Sequence, residues 1–254
     1  MSHYYNKQGN PVYELPCSTK EGNRSVTIRD ARKLNLQPGV TEVIAVLDKP
    51  GLLRYNFRQI VRAVYSEEWQ REDETFDKYV DRLIIASKKE AIGASSRGSE
   101  LHQDLEDIYK CITTLDDYSK DKQAFLQPVI NCITDNFKDE PEWISELSFS
   151  HPLGFGGKVD LSSHTHKIVL DFKSKLGSDA SKFYKYNEHL MQLAAYRNGL
   201  GIPRAQCYDL YFSSTTPGVL ELHEWKESEL NKGWKMFKCL LKFWQINNDY
   251  DSSF

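Results

Sequence analysis

After Pro141 the spacing of apolar residues along this chain changes from about four to about two. The segments 146–150, 155–161 and 166–173 alternate as half-buried strands do. A helix follows over 181–198, closed by Gly199, Gly201 and Pro203. Strands over 207–213 and 219–225 and a last helix over 227–245 complete the series. Elements in that order bury their apolar faces as a mixed sheet with helices packed on it. The expected class is α/β (α+β), with a central mixed β-sheet flanked by helices.

Before Pro141 the pattern is helical over 52–65, 74–88, 100–110 and 120–137. Thr41 reads as the N-cap of an earlier apolar helix that Asp48, Pro50 and Gly51 stop. The polar, irregular start reads as an extended arm. Small residues between Lys89 and Gly98, among them Ala91, Gly93, Ala94 and Ser95, read as a loop at the border of the core. The expected organisation is an arm over 1–25, a helical N-terminal elaboration over 26–97 and a core over 98–254.

Charge narrows the function. The chain carries 33 Lys and Arg against 36 Asp and Glu, a net of −3, which argues against a polybasic nucleic-acid coat. Metal-binding carboxylates would themselves pull the sum down, so an enzyme acting on nucleic acid stays open. No apolar run approaches the ~20 residues of a membrane span. The first residues lack a secretory or transit pattern, and a cytoplasmic location is expected, that of the host if a phage encodes the chain. Five scattered cysteines form no CxxC, so neither a zinc site nor a disulfide framework is signalled. No Walker A sequence is present and no ATP is expected.

The chemistry concentrates on one hairpin. With a turn at 163–165, Asp160 and Asp171 become cross-strand neighbours, their Cβ atoms ~4.5–5.5 Å apart. Lys173 lies on the same face as Asp171. Paired carboxylates at such spacing repel unless a proton, a cation or solvent relieves them, and hard oxygen donors suit Mg²⁺ or Mn²⁺. On spacing alone, a solvated surface ion pair is the commoner reading.

Four short motifs in one order extend this. They are Gly98-Ser99-Glu100-Leu101-His102, Gly157-Lys158-Val159-Asp160, Asp171-Phe172-Lys173 and Gln192-Leu193-Ala194-Ala195-Tyr196. Together they resemble the GxxxH, GxVD, DxK and QxxxY motifs of the RecB-like branch of the PD-(D/E)XK nuclease superfamily. Gly39-Val40-Thr41 and Lys49-Pro50 resemble the lead-in of phage and mitochondrial genome maintenance exonucleases.

The resemblance implies a restriction-endonuclease-like core and a metal-dependent DNA exonuclease acting on single strands or frayed ends. Such an enzyme serves replication, recombination or repair. Alternatives are a processive double-strand exonuclease like that of phage lambda, an endonuclease, and a non-catalytic DNA-binding module. Asp160, Asp171 and the Phe172 carbonyl would hold Mg²⁺ or Mn²⁺, with His102 completing the site. Glu106, one helical turn on, is an outer carboxylate or an extra ligand. Lys173 would orient or deprotonate the attacking water, or stabilise developing charge. Gln192 and Tyr196 would bond Lys173 or the DNA backbone. Cys207 and Cys239 lack the spacing of the iron–sulfur cluster found in some relatives, so no cluster is expected.

Lys175, Lys182 and Lys185 are placed to meet phosphates, and Tyr184 and Tyr186 to stack on bases. Arg54, Arg58 and Arg62, at i, i+4 and i+8, line a single-strand channel or face water. His164 and His166 sit at the hairpin turn, too far from the carboxylates to share a metal. A single-strand-binding or recombination protein is the expected protein partner.

Overall fold

The structure, a computed structural model, describes residues 3–17, 21–139 and 141–254, with side chains left out at 90, 91, 94 and 95. Residues 1, 2 and 18–20 of the expected arm lie outside the described residues. The chain forms two compact units: 1–46 with 102–254, and 47–101. No described helix is long and apolar enough to cross a membrane.

In chain order the first elements are β1 (Tyr4–Tyr5), β2 (Pro11–Val12), β3 (Glu14–Pro16), β4 (Asn23–Ser25), α1 (Ile28–Leu34), β5 (Gln37–Pro38) and α2 (Val40–Ile44). Then come α3 (Pro50–Ser66), α4 (Phe76–Tyr109) and α5 (Lys120–Asn136). The larger unit continues with β6 (Ile144–His151), β7 (Phe155–Ser163), β8 (Ile168–Lys175), α6 (Asn187–Gly199), β9 (Gln206–Ser213), β10 (Leu220–Trp225) and α7 (Glu227–Asn247).

Strands β6 to β10 form one mixed sheet in the order β10-β9-β8-β7-β6. Only β8 and β9 run parallel. Between them the chain crosses over through α6, as a parallel connection requires. Strand β8 is the centre of the sheet, and Ile168 to Phe172 are buried on both faces. Gln192 and His189 of α6 bond Asp171, Lys173 and Tyr211 on one face. On the opposite face, His102 meets the rings of Phe172 and Phe212, and Phe137 at the end of α5 meets Tyr208.

Glycine allows one close approach. A Cβ on Gly199 of α6 would lie 2.0 Å from Cε2 of Phe149, and one on Gly157 would lie 2.7 Å from its Cζ. The Phe149 ring fills the space those side chains leave, edge-on to Tyr196 at 6.1 Å. The same packing therefore seats the α6 helix that carries Gln192.

The described part of the N-terminal segment, expected as an extended arm, packs against the sheet. Tyr4 and Tyr5 are buried. Strand β1 pairs with β2 and β5, and buried Gln37 donates to the His151 carbonyl and accepts from Ser150 Oγ. The Gln37 amide thus joins β5 to β6, and Tyr5 packs on Gly156 of β7; the compact units divide at 46/47 and 101/102.

Three local expectations change as well. The small-residue stretch 89–98 is the interior of α4, not a loop. Ala is the best helix former, and two glycines cost only about 1 kcal/mol each in a helix patterned on both sides. Gly39, not Thr41, is the N-cap of α2, and Pro50 opens α3 at a position where its missing N–H costs nothing. The helix expected from residue 181 begins at Asn187; a single 3₁₀ turn, Ala180–Lys182, precedes it, capped by Asp179.

Candidate active site

The hairpin turn covers 164–167, starting one residue later and ending two residues later than the expected 163–165, with Lys167 in the left-handed region at φ 53°. Strands β7 and β8 pair only from Leu161↔Leu170 to Ser163↔Ile168. Beyond that point they part: β7 stays with β6 while β8 runs on beside β9. Asp160 and Asp171 are the next residues in register, and so they stand at the fork.

A fork exposes backbone groups that a ladder would otherwise satisfy. Asp160 closes part of this one: its Oδ2 accepts the Phe172 N–H at 2.7 Å. Burial, and after it the negative charge of Asp171, push the Asp160 carboxyl up to about 8. On its other side, His102 Nδ1 lies 4.0 Å from the same Oδ2. Burial holds that imidazole down to about 4, so it is neutral with a lone pair to offer at pH 7.

On the α6 face, Lys173 Nζ donates to Gln192 Oε1 at 2.8 Å and is ion-paired with Asp171 Oδ2. Gln192 Nε2 donates to Asp171 Oδ1 at 3.1 Å and to the Tyr196 hydroxyl at 2.8 Å. The orientation of the amide follows from its partners, because an ammonium only donates and a carboxylate only accepts. Burial works to lower the Lys173 pKa, but the Asp171 and Asp209 carboxylates outweigh it and the net shift is upward. Lys173 is therefore a fixed cation at neutral pH and poorly suited to taking a proton from water.

A small cavity lies at the fork, lined by His102, Glu106, Ser145, Glu146, Asp160 and Phe172. Glu146 was not singled out by the sequence. It falls opposite Asp160 in the β6–β7 register, adopts φ 57° and is ion-paired with Lys158. A non-glycine residue in that region costs of order 1 kcal/mol and is held only where its surroundings demand it. Glu106 is ion-paired with Lys110, the residue just past the end of α4. Asp209 was also missed, although a lone acid within the apolar run Cys207–Phe212 is itself a signal; burial pushes its carboxyl up to about 6.

The donors can be compared with a hard divalent cation. Among the described residues, no three His, Cys, Asp or Glu side chains are already drawn into a metal cluster. The chemistry of the donors nonetheless fits. A carboxylate oxygen of Asp160 and the neutral imidazole of His102 face each other at 4.0 Å, and these are donor types that Mg²⁺ or Mn²⁺ would take. Burial first and the Asp171 charge second raise the Asp160 carboxyl, and a cation bound there would favour its ionised form.

The remaining expected residues fall in three places. Lys175, half-buried, lies over the rings of Tyr186 at 5.1 Å and Tyr211 at 5.5 Å. Lys185 is ion-paired with Glu221 at 2.6 Å, and Lys182 with Asp179 at 3.0 Å. Both lysines precede α6 instead of starting it. Tyr184 is exposed and packs on Tyr186 at 4.6 Å. Arg54, Arg58 and Arg62 lie along the exposed side of α3 in the other unit. His166 Nδ1 contacts Thr165 Oγ1 at the turn.

No protein-family model matches the chain, and no curated protein matches it in sequence. Among solved structures, the crystal structure of SSO0001 is 12% identical with a TM-score of 0.31, over 76% of this chain and 87% of that one. A "Putative exonuclease" from Eubacterium rectale is 11% identical with a TM-score of 0.39, over 60% of this chain and 68% of that one.

Proposed function

We propose that the chain is a metal-dependent deoxyribonuclease that cleaves phosphodiester bonds from the ends of single-stranded or frayed DNA. The observation that carries the reading is the linked set Asp160, Asp171, Lys173, Gln192 and Tyr196, gathered where β7 and β8 part. Asp160, Asp171, His102 and the Phe172 carbonyl would hold Mg²⁺ or Mn²⁺, with Glu106 and Glu146 beside them. Such an ion, when bound, polarises a phosphate and acidifies a coordinated water.

The chain's own residues do the rest. Lys173, kept charged and fixed by Asp171 and Gln192, stabilises the negative charge that grows on the phosphate oxygens, which preorganised cations do best in a water-poor site. Gln192 fixes the ammonium in turn and is itself fixed by Tyr196. Lys175 and the exposed Tyr184 offer a charge and a stacking face for the strand next to the scissile bond.

The test is cleavage of linear and covalently closed circular single-stranded DNA with Mg²⁺ or Mn²⁺, with Lys173→Ala alongside. Loss of linear DNA alone, abolished in the variant, is the expected result. Cutting of circles would make the enzyme an endonuclease. No metal-dependent cleavage of single or double strands would sink the catalytic reading and leave a DNA-binding module.

A further inference from the structure

Packed helices ordinarily meet through apolar residues at i, i+3, i+4 and i+7. In the 47–101 unit, the α3 residues with that spacing beside α4 are Gln59, Arg62, Ala63 and Ser66. Only Ala63 among them is apolar, and it packs with Tyr79, Leu83 and Ala86 of α4. Next to that contact the two helices leave a cleft of about 420 Å³, walled on the α4 side by Ser87 and Lys89. Its volume is that of a small-molecule site.

Gln59 is only 8% exposed, and its amide has no hydrogen-bond partner among the described residues. A buried amide without a partner is costly to keep. Arg62 and Lys89 form no ion pair among the described residues either. Glu67, the acid of the described lining, is already ion-paired with Arg82 at 3.5 Å. The Ser66 and Ser87 hydroxyls donate to the Ala63 and Ile84 carbonyls of their own helices, at 3.5 and 2.8 Å. Two cations and an amide thus face the cleft with nothing in the chain to satisfy them.

A phosphate group meets that surplus. It brings negative charge and several acceptor oxygens. A guanidinium matches two of those oxygens with parallel bonds, and a lysine adds a point charge. Arg54 and Arg58, two turns and one turn before Arg62, continue the positive charge along α3.

We propose that the α3–α4 cleft is a phosphate-binding site in which Arg62 and Lys89 hold the charge and Gln59 donates its amide N–H to a phosphate oxygen. A free nucleotide or one phosphate of a DNA strand supplies the group. The site uses none of the residues around Asp160 and does not rest on the nuclease reading.

Isothermal titration calorimetry of the full chain in EDTA, where metal-dependent cleavage is silent, tests it. The probes are thymidine, thymidine 5′-monophosphate and a short oligothymidylate. Wild type is expected to bind a phosphate-bearing probe and not thymidine. Arg62→Ala and Lys89→Ala remove exposed side chains and are expected to raise Kd at least about 5-fold each. Gln59→Leu keeps the volume but loses the amide; Kd is expected to rise about 5-fold while Tm holds within about 2 °C or increases.

The two sources separate in the same experiment. Monophosphate binding that these variants weaken identifies a free nucleotide. Binding of the oligothymidylate alone, with the salt slope of log Kd reduced by about 0.7 in Arg62→Ala, identifies a strand phosphate. Thymidine binding as well as its phosphate, no binding of either phosphate probe, or variants that bind like wild type overturn the proposal. A drop in Tm for Gln59→Leu with Kd unchanged would show a merely structural glutamine and overturn it too. A chain that binds phosphate here but cleaves no DNA would refute the proposed function and leave this site standing.

Discussion

The Asp160 carboxylate accepts the Phe172 N–H at 2.7 Å across the point where β7 leaves β8. This one bond reaches over a gap in the ladder from a side chain to the backbone of the residue after Asp171. It ties Asp160 to the backbone of β8 beside Asp171, although β7 and β8 no longer pair there.

Lys173 carries the charge in this arrangement. Lys173→Ala is expected to cut the single-turnover cleavage rate by about 10²–10³-fold, the scale of losing one preorganised electrostatic donor. Circular dichroism should show the fold retained. A rate within about threefold of wild type would remove Lys173 from the mechanism.

Gln192 joins three partners, so its removal should act through Lys173 more than through substrate binding. Gln192→Ala is expected to lower kcat by about 10–100-fold with a smaller change in KM. Tyr196→Phe leaves Gln192 bonded to Lys173 and Asp171 and should cost less. Steady-state kinetics on linear single-stranded DNA separate the two.

The pH dependence of stability without metal has a definite sign. Asp160 holds its proton up to about 8 when folded but only to about 3.9 when unfolded. The folded state therefore binds more protons between those values, and stability falls as pH rises through that window. His102 acts oppositely: its folded value of about 4 lies below the unfolded ~6.5, so its contribution rises with pH between them. Asp209, at about 6, adds a fall that is complete near neutrality. His3, His151 and His223, also lowered by burial, act like His102, so it is above about pH 7.5, where these imidazoles are neutral in both states, that the Asp160 effect governs and Tm should decline. Asp160→Asn should flatten the decline. Added Mg²⁺ or Mn²⁺ should raise Tm more at about pH 8 than at about pH 6, since it favours the ionised carboxylate. Differential scanning fluorimetry across this range checks all three; a flat wild-type profile would contradict them.

Gly199 admits no side chain. Gly199→Ala would drive a methyl into Phe149, at an overpacking cost of about 1–3 kcal/mol and a Tm loss of roughly 3–10 °C. Phe149→Leu in the same chain should recover part of it. Additive losses in thermal unfolding would show that the two positions do not share this space.

Much of the sheet was legible because its cause is local. Alternation of period two marks β6 to β10, and Gly199, Gly201 and Pro203 mark the end of α6, whatever the rest of the chain does. The opposed Asp160 and Asp171 follow from strand register, and the spacing of Gln192 and Tyr196 follows from the helical turn. Other features depend on partners distant in sequence. Residues 89–98 look like a loop until patterned turns on both sides carry the helix through them. The polar first residues look free until Tyr4, Tyr5 and Gln37 find β6 and β7. Glu146 and Asp209 have no motif; the fork brings the first beside Asp160, and the parallel pairing of β8 with β9 sets the second near Lys173. Sequence by itself determined which residues alternate, turn and carry charge, since those properties belong to short segments. Tertiary structure decided which charges meet, because burial and the parting of two strands, neither of them local, set the field each group feels.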